Sequence, residues 1–128
     1  KEDADRIVQW VHTHPFMGSV EFLVLSDVVP LRTSEPYLMA GWESWSGIAK
    51  NYAEDLVKSV AASLLARGQK VRTCIETGEA APTIAAQSQG MDLIVTATHG
   101  RHGLERFLMG SISHAIVHRA SEPVLIIH

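Results

Sequence analysis

The residues whose types and spacing suit chemistry gather in one stretch, Asp92–His114, with the sequence DLIVTATHGRHGLERFLMGSISH. Gly100 and Gly110 are separated by nine residues, and Ser111 and Ser113 follow the second glycine. The chemistry this offers is anion binding. A helix start leaves backbone N–H groups without intrahelical partners, and the macrodipole adds partial positive charge there. Gly110 lets an anion approach the backbone closely, and the serine hydroxyls are further donors. Gly100, just past a strand, can turn more N–H groups toward the same point. A plainer reading also fits: a strand–turn–helix with glycines in the turns and Ser111 as an ordinary N-cap.

Those residues need a strand before them and a helix after them. Leu93, Ile94 and Val95 form a short apolar run suited to a parallel strand covered on both faces. Thr98-His99-Gly100 breaks it. Leu104, Phe107 and Leu108 lie at helical spacing and predict a short helical turn. Ile112, Ala115 and Ile116 repeat that spacing after Gly110 and predict a helix running to about Ala120. Ligands of open α/β sheets bind outside the carboxyl ends of the strands, which is where this loop lies.

The rest of the chain supplies the scaffold. Glu2 to about Thr13 predicts a helix with Ala4, Ile7, Val8 and Val11 on one face, ended by Pro15 and Gly18. A strand over Arg6–His12 is the alternative, disfavoured because only a short turn would separate it from the next strand. Val20–Val29 predicts a strand. Pro30 to about Trp45 predicts a long loop whose Trp42 and Trp45 either cover a ligand or anchor on the following helix. Ile48, Ala49, Tyr52, Ala53, Leu56, Val57, Val60, Ala61, Leu64 and Leu65 trace one apolar stripe of a long helix, with Arg67 in its last turn and Gly68 after it. Val71–Ile75 predicts a strand bounded by Gly78. Ala80–Gln89 predicts a helix with Pro82 in its first turn and Gly90 stopping it. Pro123–His128 predicts the last strand. Alternation of strand and helix implies a doubly wound parallel sheet with right-handed crossovers.

Composition narrows the function. The chain has 128 residues, 46% hydrophobic and 20% charged, enough for a single domain with a real core. A net charge of −3 leaves no basic footprint for nucleic acid. No apolar run approaches the roughly 18–20 residues that span a bilayer. A single cysteine, Cys74, excludes an intrachain disulfide framework and suits a reducing cytoplasm.

Other candidates for chemistry are few. His114 and His118, four apart, could hold a metal, or His118 with Arg119 could complement the negative end of their helix. His99 suits hydrogen bonding that shapes its loop. Asp27 and Asp92 read as turn or capping residues, and Cys74 as a small buried hydrophobe. No Ser-His-Asp order, carboxylate pair or nucleophile elbow stands out. A Walker-type loop would need a lysine beside Ser111, where Met109-Gly110 precedes and Ile112 follows.

The segment resembles the nucleotide-binding signature of the universal stress protein family: glycine, two residues, glycine, nine residues, glycine, then serine or threonine. Gly100, Gly110 and Ser111 match it, and Ala97 stands where the signature has its first glycine. Asp92-Leu-Ile-Val, Thr98-His99-Gly100-Arg101, Gly103-Leu104, Leu108-Met109-Gly110-Ser111 and Pro123-Val-Leu-Ile-Ile are similar as well. The resemblance implies a Rossmann-like α/β fold with a five-stranded parallel sheet ordered 3-2-1-4-5. It implies ATP as ligand, with Mg or Mn held by the phosphates. Val28 would recognise adenine through its backbone; Thr96 and Ala97 would line base and ribose; Gly100, Arg101 and His102 would flank the phosphates; and Gly110, Ser111, Ile112 and Ser113 would hold them. Arg101 would add a charge-assisted bond, or be a solvated surface arginine.

The family's sheet opens with a strand that precedes the first helix and ends in an aspartate against the adenosine. These 128 residues hold no such strand, so further residues before Lys1, or another chain, are expected to supply it. The implied protein is a cytoplasmic, nucleotide-dependent stress regulator without a catalytic base, at most a very slow hydrolase. It is expected to form a homodimer through the edge strand Val124–Ile127, without nucleic acid or membrane as partner. A dimeric adaptor of the same fold that binds no nucleotide is the alternative, and a true phosphotransferase lacks any residue suited as nucleophile or base.

Overall fold

A computed structural model describes residues 1–14, 20–28, 36–97 and 111–127, the side chains of 36–40 and 42–44 excepted. Its elements run α1 (Glu2–Thr13), β1 (Glu21–Val28), α2 (Pro36–Leu65), β2 (Lys70–Thr77), α3 (Ala80–Gln87), β3 (Ile94–Ala97), α4 (Ser111–Arg119) and β4 (Val124–Ile127). They fall into two compact units: Glu21–Ala80, and Lys1–Val20 with Ala81–His128.

In the first unit β1 and β2 pair in parallel, Glu21 opposite Lys70 and Val28 opposite Thr77. Parallel strands need a crossover, and α2 makes it, packing on both strands. Ala53, Val57, Ala61 and Leu64 form its buried line, at the spacing of one helix face. Two expectations need correction here. The chain is already helical at Pro36, so much of the expected loop is helix. The apolar stripe is also narrower than expected. Ile48, Tyr52 and Leu65 are exposed, as is Trp45, because only about 100° of a helix can face one sheet. The helix stops as expected, with Gly68 at a φ of 78° donating its N–H to Leu65 C=O at 2.9 Å.

In the second unit β3 and β4 pair in parallel, Ile94 opposite Val124 and Ala97 opposite Ile127. Ile116 of α4 is fully buried against Ala81 and Ile94, with Ile84, Ala115, Ala120 and Val124 around them. The helix α1 packs on both strands and buries Val11. Glu2, Asp3 and Asp5 stand in its first turn, where the dipole favours negative charge. At its other end the Thr13 hydroxyl donates to Gln9 and Trp10 C=O at 3.0 and 3.1 Å, and the His14 N–H to Trp10 C=O at 3.0 Å.

The described strands therefore make two parallel sheets of two strands each. The neighbours expected within the order 3-2-1-4-5, β1 with β2 and β3 with β4, are both paired. The five-stranded order itself is not among the described residues.

Candidate functional site

The strand–loop–helix expected from the two glycines has both its ends within one unit. β3 ends at Ala97 and α4 begins at Ser111; Gly100, Arg101, His102 and Gly110, with His99, lie outside the described residues. Thr96 and Ala97 are half-buried at the carboxyl end of β3, opposite Ile126 and Ile127. The described part of α4 runs from Ser111 to Arg119, so the chain is helical from the residue after Gly110. The two serines differ. Ser111 is exposed and its hydroxyl is available to a ligand, whereas Ser113 is 3% exposed, turned inward with Ile116 three residues on. Ser113 can therefore serve an anion through its main-chain N–H rather than its side chain. Ile112 is exposed, so the same holds for it: the backbone is what it offers.

Val28 belongs to the other unit. It is buried and is the last residue of β1, not just beyond it. Its C=O accepts the Gly78 N–H at 3.1 Å, which leaves one carbonyl lone pair for a further donor. Asp27 lies inside β1 opposite Glu76, with its carboxylate oxygens shielded from water, so it is a strand residue and not a turn or cap. Cys74 is half-buried, and its Sγ–H points to Glu76 Oε1 at 3.5 Å. Burial, then the hydrogen bond and negative charge of Glu76, push the thiol up from its ordinary value. That keeps Cys74 a thiol at neutral pH and makes it a poor nucleophile.

His114 and His118 project from the exposed face of α4, and His118 with Arg119 occupies its last turn. Among the described residues no group of three or more His, Cys, Asp or Glu is arranged to hold a metal. Nor is any described helix long and apolar enough to cross a membrane. One positioning residue escaped the sequence reading. The Glu122 carboxylate accepts the Gly90 N–H at 3.3 Å and the hydroxyls of Ser88 and Ser121 at 3.5 and 3.4 Å, tying the turn before β3 to the turn before β4. Its partners at Ser88 and Gly90 are more than thirty residues away, and no local pattern announces a contact of that span.

The universal stress protein family pattern matches residues 3–128. The chain belongs to the universal stress protein family. A universal stress protein of Methanocaldococcus jannaschii is 34% identical over 67% of this chain and 52% of its own length. One of Mycolicibacterium smegmatis is 27% identical over 98% of this chain and 44% of its own. The chain thus spans about half the length of these curated relatives. Among solved structures, a second M. jannaschii member superposes with a TM-score of 0.81 at 20% identity, covering 98% of this chain and 87% of that one. The universal stress protein of Lactobacillus plantarum does so at 0.73 and 19%, covering 97% and 86%. A universal stress protein solved in complex with cAMP superposes at 0.53 and 18%, covering 99% and 85%. These likenesses give the fold: the universal stress protein α/β architecture, with helices on parallel strands.

Proposed function

We propose that this universal stress protein binds ATP, with Mg or Mn carried on the phosphates, and works as a nucleotide-dependent regulator in the cytoplasm. The observation that carries the reading is that the chain is helical from Ser111, the residue after the last glycine of the signature; a helix opening there would present first-turn N–H groups without helical acceptors. The phosphates would sit on those amides and on the Ser111 hydroxyl. Gly110 would let them approach, and Gly100, Arg101 and His102 would line the same anion. Thr96 and Ala97 would face ribose and base, and the remaining lone pair of Val28 C=O would take a proton of the adenine amine. A relative solved with cAMP supports a nucleotide as the class of ligand.

The sheet that goes with this reading is the family's five-stranded order 3-2-1-4-5. The protein would bind ATP and at most hydrolyse it very slowly: the described residues include no activated nucleophile, and Cys74 is held as a thiol. A homodimer would form along β4. The Ile94 N–H donates to Pro123 C=O at 2.9 Å, so by the alternation of a parallel ladder the amides of Val124 and Ile126 point away from β3. Outward amides on a strand without charge or proline invite a second copy.

Ala97 favours one other reading, a dimeric adaptor without nucleotide, since a Cβ stands where the signature has glycine. Extraction of nucleotide from freshly purified protein, followed by chromatography, separates the two. Co-purified ATP supports the regulator; protein that is empty and fails to take up added ATP supports the adaptor.

A further inference from the structure

Helix α4 presents a pair of histidines on the side opposite its core contacts. Ser113 and Ile116 face inward, while His114 and His118 are exposed. At 100° per residue the two histidines lie about 40° apart on the helix surface, on the face turned away from the buried pair. Their Nε2 atoms are 3.3 Å apart and their ring centroids 4.4 Å, with the planes tilted by 50°. The rings therefore converge at their Nε2 ends. Two imidazole nitrogens bound to one zinc at ~2.0–2.1 Å, with a tetrahedral angle between them, stand about 3.4 Å apart. The separation already present is that of a chelate.

We propose that His114 and His118 together bind one late first-row divalent cation, of the zinc, nickel or copper type, through their Nε2 atoms. Nitrogen ligands select these ions over Mg or Ca, which take oxygen. Water fills the remaining coordination positions, since no third side-chain ligand stands beside the pair among the described residues. The ion replaces the hydrogen shared between the two nitrogens. Both side chains are exposed, so the rings can open slightly to admit it without disturbing the core. The consequence for the protein is local: an ion bridging two successive turns holds α4 helical. This site is separate from the proposed nucleotide site, whose metal rides on phosphate oxygens.

Zinc(II) chloride titrated into the purified protein tests the proposal, by calorimetry and by NMR of the histidine rings. The expected result is that the His114 and His118 rings shift together as one zinc per chain binds. H114A and H118A should each weaken that event by about tenfold or more, since loss of a coordinating nitrogen exceeds the ~1.4 kcal/mol of a tenfold change. H12A should leave it unaltered. Amide exchange across Ala115–Arg119 should slow with zinc in the parent and not in H118A. Both positions are exposed, so these substitutions leave the core intact, and H118Q, which keeps a polar side chain of similar reach, repeats the loss without truncation. Zinc binding of equal strength in an H114A/H118A double variant, or ring shifts confined to other histidines, would overturn it.

Discussion

Ile116, fully buried between Ala81 and Ile94, is the side chain on which α4 is seated. Ile116→Ala should cost about 2–5 kcal/mol, read as a lower denaturant midpoint with unchanged slope. Glu122→Ala should cost about 1 kcal/mol, because the Gly90 N–H and the Ser121 hydroxyl lose their acceptor while Ser88 keeps the Ala85 C=O. The thiol of Cys74 behaves in the opposite sense to a reactive cysteine. Its pKa is raised above 9.0, first by burial and then by Glu76. Alkylation at pH 8 should therefore be slow, and Glu76→Gln should speed it by removing the charge. The fold favours the protonated thiol, so this contribution is complete at neutral pH and is lost as pH climbs through the raised value. Cys74→Ala should flatten the alkaline fall in stability, measured by denaturation at pH 7 and pH 10. At this scale the sequence was legible where one helical face decides the outcome, as for Val11, Val57 and Ile116. It was not legible where the outcome depends on rotation within a turn: Ser111 and Ser113 look equivalent as letters and face opposite ways.

The elements were read closely where periodicity and caps agree. α1 runs over Glu2–Thr13 as expected, and Gly68 and Gly90, at φ of 78° and 81°, terminate α2 and the α3 turn. The start of α2 was misread because Pro36 and Gly41 look like loop punctuation. In the fold the chain is already helical at Pro36, and Gly41 and Gly47 are ordinary helical residues. A Cβ at Gly41 or Gly47 would meet nothing within 4 Å. Gly47→Ala should accordingly stabilise by about 0.5–1 kcal/mol, visible as a rise in Tm, while Gly68→Ala should destabilise because its left-handed φ strains any side chain. β4 makes the other prediction at this scale. Ile126→Pro removes an outward N–H and leaves the β3 ladder in place. In sedimentation equilibrium it should convert the proposed homodimer to monomer, and a parent protein already monomeric at all concentrations would count against the dimer.

For the molecule as a whole, the fold and family were legible because a short signature and regular strand–helix alternation coincide in one chain. The sheet was less so. Its two described pairs follow the expected neighbours, yet a five-strand order depends on pairings that no local pattern among these residues encodes. The site divides the same way: the helix from Ser111 is described, and the glycine loop before it lies outside the described residues. The central claim is that main-chain amides at this helix start hold a triphosphate. Calorimetric titration of ATP and of adenosine into the protein and into Gly110→Val, with circular dichroism to confirm that the variant is folded, tests it most directly. The account predicts that ATP binds far more tightly than adenosine and that folded Gly110→Val loses the ATP signal. Equal affinity for the two ligands, or ATP binding that survives the valine, would contradict it.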